Sequence, residues 1–470
     1  MSVGALGRIL LLAALACAAA PMPAAAAPAD TLRLSLPDAV KRALGQGEEM
    51  RAARAIVRQT SGQVTMELSR ALPQISGTIT YDRKLSSIFQ GSNADTSDLG
   101  SILENSPFAA ENTWTAEITA KQLLWSSGKV GSALRAAKAA KRSARASEAE
   151  TASDVTFEVR RAYYNASYAQ RLVEIAERAL EQAREHLRQV RSGRGQGAKS
   201  EYDALRAEVD AANQEPAVVS ARRGRDIAHL LLKRLTNVPL DRPVDLVTPL
   251  AFADSLVPVV TDRSPSTAAR PALAAAEAEV EARRNAMGAY RGEHWPDLYV
   301  SSTLQQQAFP SSFFPRWDQF HRNWDAYLTL EVPIFSGLRT QGQVAQARGA
   351  YEKAQADRDE LRQTVAIEAI EARSELDRSL STLMARRETV RQAERAWRLA
   401  EVRYANGIST QLEVSDARLQ LSTAEVNEVQ AVRDYLVALA NLERAVGRPV
   451  PIARMTLEEA TQALNREGTR

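Results

Sequence analysis

The chain contains two copies of one long unit. The stretch from Trp114 to Pro239 is matched without a gap by the stretch from Trp324 to Pro449, which begins 210 residues later. Most positions between the matched ones differ, so the repeat is degenerate. Self-similarity at a long period marks a duplicated structural unit and restricts the fold more than any local motif does. We therefore expect the two halves of the chain to fold alike.

The copies differ in length upstream of Trp114. There the match resumes at an offset of 223, with Pro73 opposite Pro296, so the first copy has thirteen extra residues. These residues lie between about Tyr81 and Trp114, in a segment rich in Ser, Asn, Asp and Gly. Insertions are tolerated in surface loops. We therefore predict a longer loop in the first copy.

Residues 1–29 have the pattern of a secretory signal peptide. A thin basic region at Arg8 precedes an apolar stretch and a run of small residues that offers A-x-A cleavage sites. Cys17 is the only cysteine and lies inside this segment, so the cleaved chain could form no disulfide. In the alternative interpretation Cys17 is lipidated, although the leucine two residues before it is larger than such a site prefers.

Composition and the absence of motifs restrict the function. Lys+Arg 60 against Asp+Glu 57 leave a net charge of +3, which gives no electrostatic reason to expect nucleic acid. The four histidines lie in different segments with no cysteine nearby, so we expect no metal site. We find no phosphate-binding glycine loop before a helix, no G-x-S-x-G and no HExxH motif. We therefore expect no cofactor and no enzymatic activity.

Each copy contains one very long helical pattern. From Gly128 to about Ser192 there is no proline, and apolar residues recur in steps of three and four. Roughly 65 residues at about 1.5 Å each would form a rod near 100 Å long. The second copy repeats the pattern from Leu338 to about Ala405. A periodic pattern of this length is typical of a coiled coil or a helical tube.

A turn and a shorter helix follow each rod. The turns at Arg191–Gly197 and Arg403–Gly407 contain the glycines that close helices. The return helix after each turn is about half as long as the rod, which would leave an apolar face exposed. We expect the remaining helices, predicted at 37–72 and 271–294, to cover the other half.

Each copy also contains two β-like runs, although no segment after the signal peptide has the roughly 18 to 20 apolar residues of a membrane-spanning helix. The strands are predicted at about 73–83, 114–125, 296–307 and 324–335. Polar and apolar residues alternate along them, which is the weak signature of a transmembrane β-strand. Four strands cannot close a membrane barrel of about eight or more strands, so other chains must complete it.

Charged residues in these strands alternate with apolar ones and share a face with threonines. We expect that face to line a water-filled lumen, because a charge facing lipid near the midplane costs about 2–4 kcal/mol. The expected lumen residues are Glu117, Lys121, Asp325 and Glu331. The neighbours expected to face lipid are Ala116, Ile118, Leu328 and Leu330.

Several motifs resemble those of the TolC-type outer-membrane efflux proteins. They include LSLPDAVKRAL at Leu34–Leu44, and LWSSGKV and IFSGLRT at the two junctions from strand to helix. The most specific is RYANGISTQLEVSDARL at Arg403–Leu419. The resemblance covers almost the whole chain after the signal segment.

The resemblance implies a mainly α-helical fold with a transmembrane β-barrel, built as a homotrimer. Twelve strands would form the outer-membrane barrel, which would continue into a periplasmic α-helical barrel. The implied segments are a signal peptide at 1–29, a first repeat at 30–239 with its hairpin at 127–237, an equatorial linker at 240–270, a second repeat at 271–449 with its hairpin at 338–446, and a tail at 450–470. Members are passive ducts in the Gram-negative outer membrane, and their hairpin tips dock onto a periplasmic adaptor joined to an inner-membrane pump.

The resemblance also implies a periplasmic gate at the second hairpin. In drug-exporting members a leucine and an aspartate line the constriction there, and they correspond to Leu412 and Asp416. Three carboxylates around a narrow pore would attract cations. The alternative is that Asp416 is a solvated residue favoured by the helix dipole. The first copy has Tyr202 and Arg206 at the equivalent positions, so the charge is not repeated.

Neighbouring residues could act as partners of the gate. Some members have a basic residue three positions after the aspartate, but here that residue is Leu419 and the arginine is Arg418. Arg403 and Tyr404 are alternative partners, or ordinary residues of a helix end. The residues expected at the hairpin tips, where an adaptor would dock, are Gly193, Gly195, Gly197, Asn406 and Gly407.

The main rival function is that of a periplasmic adaptor or a structural coiled-coil protein. Adaptors carry one hairpin flanked by lipoyl-like β-segments, whereas this sequence predicts two hairpins and paired strands. The exported substrate stays open between drugs, metals and proteins.

Overall fold

The computed structural model describes residues 31–86, 110–197, 199–250, 256–260 and 266–456. The predicted signal peptide, Cys17, most of the predicted insertion and the end of the tail lie outside these residues. The chain divides into two compact units, one of residues 1–42 and 162–251 and the other of 43–161 and 252–470.

The element order confirms the duplicated fold. A short strand leads the first copy, and further short strands lie in the linker and after the second copy. The first copy has β1 (Leu32–Leu34), α1 (Leu36–Gln46), α2 (Glu48–Ser69), β2 (Gln74–Arg83), β3 (Asn112–Trp125), α3 (Lys129–Gly195) and α4 (Glu201–Leu235). The linker has β4 (Val244–Leu246) and β5 (Leu256–Val260). The second copy and tail have α5 (Pro271–Gly292), β6 (Asp297–Ala308), β7 (His321–Glu331), α6 (Arg339–Ala405), α7 (Gln411–Val446) and β8 (Ile452–Thr456).

The two rods are the longest helices of the described chain. Helices α3 and α6 each have 67 residues, which confirms the predicted length. Among the described residues no helix is both long and apolar enough to cross a membrane.

In the second copy the rod α6 packs against both α7 and α5, as expected for a half-length return helix and a second covering helix. The contact face of α7 is a heptad seam of small residues. Its buried alanines recur every seven residues, at Ala424, Ala431, Ala438 and Ala445. Alternating with them are the larger buried residues Leu421, Tyr435 and Leu442. Such a seam is that of a coiled coil, and the alanines allow close approach of the two helices.

The prediction of one continuous helix over 37–72 is wrong. Helices α1 and α2 are separated at Gly47, whose backbone is extended, with φ −60° and ψ 143°. The Gly47 amide still donates to the Ala43 carbonyl at 2.8 Å. A Cβ at position 47 would lie 2.4 Å from that carbonyl oxygen, so this break requires glycine.

Arg270 stands at the equivalent place in the second copy, just before α5. Its side chain is buried and pairs with Glu150 on α3 and Glu368 on α6. Glu150 also accepts a hydrogen bond at 3.1 Å from the backbone of Ala272 in the first turn of α5. Burial alone would lower the pKa of Arg270, but its ion pairs with Glu368 and Glu150 raise that pKa overall. This cluster joins three helices of one unit through buried charge.

The four long strands form one antiparallel sheet in the order β2-β3-β6-β7. The final strand was predicted to reach residue 335, but β7 ends at Glu331. Pro333 follows two residues later and has no backbone N–H to continue the ladder. Strands β2 and β7 are the two edges of the sheet.

The linker strands pair with segments near the two ends of the chain. Strand β4 lies parallel to β1, and β5 lies antiparallel to β8. In the first of these sheets the buried Tyr163 hydroxyl donates to the Leu34 carbonyl at 3.0 Å and accepts from the Thr248 amide at 2.9 Å. Tyr163 therefore connects α3 to β1 and to the segment that follows β4.

Candidate functional site

One face of the four-stranded sheet is polar. The strand register places Thr119, Thr303 and Asp325 in one row across three strands. The hydroxyl oxygens of Thr119 and Thr303 are 3.2 Å apart, and Lys121 Nζ lies 4.1 Å from the centre of the Tyr299 ring. By the same register all four charged residues singled out from the sequence lie on this face: Glu117, Lys121, Asp325 and Glu331.

The opposite face of the sheet is apolar and exposed. The residues predicted to face lipid all lie there: Ala116, Ile118, Leu328 and Leu330. Ile79 on β2 is 76% exposed and Leu328 on β7 is 65% exposed. An exposed apolar face of this extent needs an apolar environment or a partner.

Aromatic residues lie at both ends of the apolar face. At the end distant from the helices, Tyr81 and Trp114 have ring centres 5.0 Å apart. Phe313, from the loop between β6 and β7, packs against both rings, and its carbonyl accepts a hydrogen bond from Trp114 Nε1 at 2.8 Å. At the end nearest the helices, Trp125 lies opposite Leu298 on this face and is exposed. Aromatic bands at both ends are typical of a sheet that crosses a bilayer.

The sheet is open within one chain. Strands β2 and β7 each have one neighbour among the described strands, so their outer backbone groups are unpaired there. In lipid such groups must be satisfied by another strand. This sheet therefore needs neighbouring chains if its apolar face is in a membrane.

The first hairpin ends in a tight turn. Helix α3 ends at Gly195, after Gly193 in the same last turn, and Gly197 has a positive φ of 74°. The Ser200 hydroxyl accepts from the Asp203 amide at 3.1 Å, and the Ser200 amide donates to the Asp203 carboxylate at 3.2 Å. The side-chain hydrogen bond from Ser200 lowers the pKa of Asp203, and the Ser200 backbone bond and Lys199 charge lower it further. This capping box fixes the start of α4.

The second hairpin closes differently. The Asn406 side chain donates to the Val402 carbonyl at 2.7 Å, and Gly407 has a positive φ of 71°. Arg403, expected as a possible partner of Asp416, instead pairs across the turn with Glu413 at 3.5 Å. Sequence reasoning missed Glu413. Its position three residues after the capping residue Thr410 was the available signal.

Leu412 and Asp416 lie on the exposed side of α7. Val414 is buried, whereas Leu412 is 44% exposed and Asp416 is also exposed. Within the described residues Asp416 makes no ion pair, so its charge is available to a neighbouring chain or to solvent. Tyr404 and Arg418, named as possible partners, are both half-buried.

The first hairpin has a different surface at the equivalent positions. Tyr202 is 67% exposed, and Arg206 donates a long hydrogen bond of 3.5 Å to the Tyr202 hydroxyl. The two copies thus present an aromatic and basic pair on α4 and an aliphatic and acidic pair on α7.

Solved structures with this fold are outer-membrane channels. A crystal structure of CusC aligns with a TM-score of 0.72, covering 88% of this chain and 92% of that chain at 17% sequence identity. The open four-stranded sheet and the two long hairpins are therefore the fold of an outer-membrane channel subunit.

The chain belongs to the outer membrane efflux protein family, whose model matches residues 39–238 and 264–448. It is 27% identical to outer membrane protein OprJ of Pseudomonas aeruginosa over 178 residues, 38% of this chain and 37% of OprJ. It is 23% identical to cobalt-zinc-cadmium resistance protein CzcC of Cupriavidus metallidurans, over 68% of this chain and 74% of CzcC.

The family places the protein in the outer membrane of a Gram-negative bacterium, where its relatives are efflux channels. The family assignment therefore favours the channel over the rival adaptor function.

Proposed function

We propose that the protein is the passive outer-membrane duct of a tripartite efflux or type I secretion system. The observation that supports this function best is the sheet, which has one polar face, one apolar face and two unpaired edges. Three chains pairing β7 of one to β2 of the next would give a closed twelve-stranded barrel without unsatisfied backbone groups. Energy would come from a pump in the inner membrane.

In this assembly the polar face lines the lumen. Glu117, Lys121, Asp325 and Glu331 then stay hydrated, and the apolar face contacts lipid between the two aromatic bands. Within a wide pore these charges serve to keep the lumen wet.

The second hairpin forms the periplasmic gate in this proposal. Three copies of Leu412 and Asp416 would surround the pore axis, with the exposed carboxylates repelling one another and attracting cations. The turns around Gly197 and Gly407, which lack side chains at their tightest points, would dock onto the adaptor.

The name of one relative suggests a substrate class. CzcC is named for resistance to cobalt, zinc and cadmium, which makes divalent metals one candidate beside drugs and proteins. Growth of a deletion strain on a panel of metals and antibiotics would identify the class, because loss of the duct sensitises the cell to what it exports.

Membrane fractionation and gel electrophoresis test the assembly. We expect the protein in the outer-membrane fraction, with a trimer that persists in detergent without heating. Recovery as a monomer in the soluble periplasmic fraction would contradict the channel function and favour an adaptor or structural protein.

A further inference from the structure

The apolar face of the sheet carries two charged residues, both at the end distant from the helices. Along β2 the residues Ile79, Tyr81 and Arg83 alternate onto this face. Along β7 the residues Arg322 and Trp324 do so. All the other residues on this face of the four described strands are uncharged, and the nearby acidic residues of the strands lie on the polar face.

Both arginines are exposed and make no ion pair with any residue that the structure describes. An arginine that faces lipid near the midplane is costly, but near the membrane surface the cost becomes small. Its aliphatic stem can lie along apolar neighbours while the guanidinium reaches the surface. The two arginines lie at the end of the sheet distant from the helices, so the apolar face can still contact lipid. In a membrane they would place two cations at the level of the lipid headgroups.

Aromatic residues of the kind found at membrane surfaces lie near both arginines on the same face. Arg83 follows Tyr81 on the same face, beside the Tyr81–Trp114–Phe313 cluster. Trp324 follows Arg322 on the same face and donates to the Ser302 hydroxyl at 2.9 Å. Tyrosine and tryptophan occupy the headgroup region of membranes because their rings are amphipathic.

Closure of the barrel would bring the two arginines together. They lie on opposite edges of one sheet, which are three strand spacings or about 14 Å apart, and Arg83 lies four residues further along β2 than Ile79, the residue in the same row as Arg322. In the proposed trimer β7 of one chain becomes the neighbour of β2 in the next, about 4.8 Å away. Arg322 and the next chain's Arg83 then lie at the same end and on the same face of one seam.

We propose that each seam binds the phosphate of a phosphorylated outer-leaflet lipid between Arg83 of one chain and Arg322 of the next. Guanidinium groups hold phosphate oxygens with bidentate, charge-assisted hydrogen bonds. Two cations without an acidic partner on this face favour an anionic occupant, and the neighbouring aromatic and aliphatic residues favour one that carries acyl chains. The inference rests on the proposed trimer, since a single chain keeps the two arginines apart.

Native mass spectrometry of the purified trimer tests this site. The probes are diphosphoryl lipid A, monophosphoryl lipid A and phosphatidylethanolamine. We expect the wild-type trimer to prefer diphosphoryl lipid A. The double variant Arg83→Gln/Arg322→Gln should bind it about thirtyfold more weakly, because each arginine near an anionic lipid surface contributes about 1 kcal/mol.

The matched control is Lys84→Gln, which removes a neighbouring positive charge from the other face of the sheet. Lys84 is the next residue after Arg83, and its amide donates to the Glu111 carbonyl at 2.9 Å, so the ladder continues and its side chain belongs to the opposite face. Lys84→Gln should leave lipid A binding unchanged, whereas Arg83→Gln should weaken it. Equal losses in the two variants would overturn the proposal, as would displacement of lipid A by an excess of inorganic phosphate.

The gel mobility of unheated samples distinguishes failure of the proposed function from failure of the lipid site. If the wild-type protein forms no trimer, the proposed function fails. If all variants form trimers and lipid A binding does not depend on the arginines, the trimer stands and the lipid site is wrong.

Discussion

The two hairpins have nearly the same lengths, and each turn contains a glycine with a positive φ, but their helices are held together differently. Return helix α7 buries thirteen of its residues, whereas α4, of almost equal length, buries five. The first hairpin instead has exposed arginine–glutamate pairs between its helices, such as Arg191 with Glu208 at 3.0 Å and Arg222 with Glu177 at 2.7 Å. Exposed pairs of this kind contribute about 0–1 kcal/mol each. The buried apolar seam therefore stabilises the second hairpin more than the exposed ion pairs stabilise the first.

The weaker hairpin leaves apolar surface uncovered. Tyr202, Leu205 and Val209 recur along one side of α4 and are all more than half exposed. Within one chain nothing in the described part covers them. We expect a neighbouring chain of the trimer, or the adaptor, to do so, which would let the first hairpin serve contacts between proteins while the second keeps its own structure.

The largest expected effect is at the buried arginine that distinguishes the second copy. Arg270→Ala would leave Glu150 and Glu368 without their shared cation in a largely buried site. We expect a loss of about 3 kcal/mol in the free energy of unfolding, measured by urea denaturation. Arg283→Ala, which removes an exposed pair with Glu279 on the same helix α5, is the control and should cost less than about 0.5 kcal/mol. Similar losses in both variants would show that burial of Arg270 is unimportant.

The next effect compares the two return helices at equivalent positions. Ala431 is 4% exposed in the seam of α7, and its counterpart 210 residues earlier, Ala221 on α4, is half-buried. Ala431→Leu overfills the seam and should destabilise the protein by about 2 kcal/mol. Ala221→Leu should change stability by less than about 0.5 kcal/mol. If the two substitutions cost the same in urea denaturation, the hairpins are not packed differently.

A smaller effect is expected at the helix caps. Ser200→Ala removes the capping hydroxyl of α4 and should cost about 1 kcal/mol at neutral pH. Thr410→Ala in the second copy should cost less, because the Thr410 hydroxyl accepts from the Glu413 amide at a longer 3.4 Å. Urea denaturation of both variants checks the order, and a larger loss for Thr410→Ala would reverse it.

The cap of the first hairpin also depends on pH. The pKa of Asp203 is lowered in the folded protein. The ionised carboxylate therefore contributes its full share of the free energy of unfolding above the unfolded pKa of about 3.9, and this contribution is lost as pH falls through the lower folded pKa. The stability difference between wild type and Ser200→Ala should therefore narrow below about pH 4. A constant difference down to lower pH would show that the carboxylate takes no part in the cap.

The long-period features of this fold could be predicted from the sequence, and the local exceptions could not. The rods, the sheet and its polar face follow from periodicity, which survives in a degenerate repeat. The break at Gly47 depends on one close approach to a carbonyl, and the burial of Arg270 depends on two glutamates from other helices, neither of which is visible along the chain. At the proposed gate, the assignment of Leu412 and Asp416 rests on the resemblance. The pairing of Arg403 with Glu413 required the geometry of the turn.

The most direct test is the ion selectivity of the trimer in a planar bilayer under a salt gradient. The proposed constriction lies at the tip of the second hairpin, where Asp416 is exposed, and not at the equivalent Arg206 of the first. We expect a cation-selective wild-type channel, a large loss of that preference in Asp416→Asn, and little change in Arg206→Gln. An unchanged reversal potential in Asp416→Asn, or equal shifts in the two variants, would contradict a constriction at Asp416.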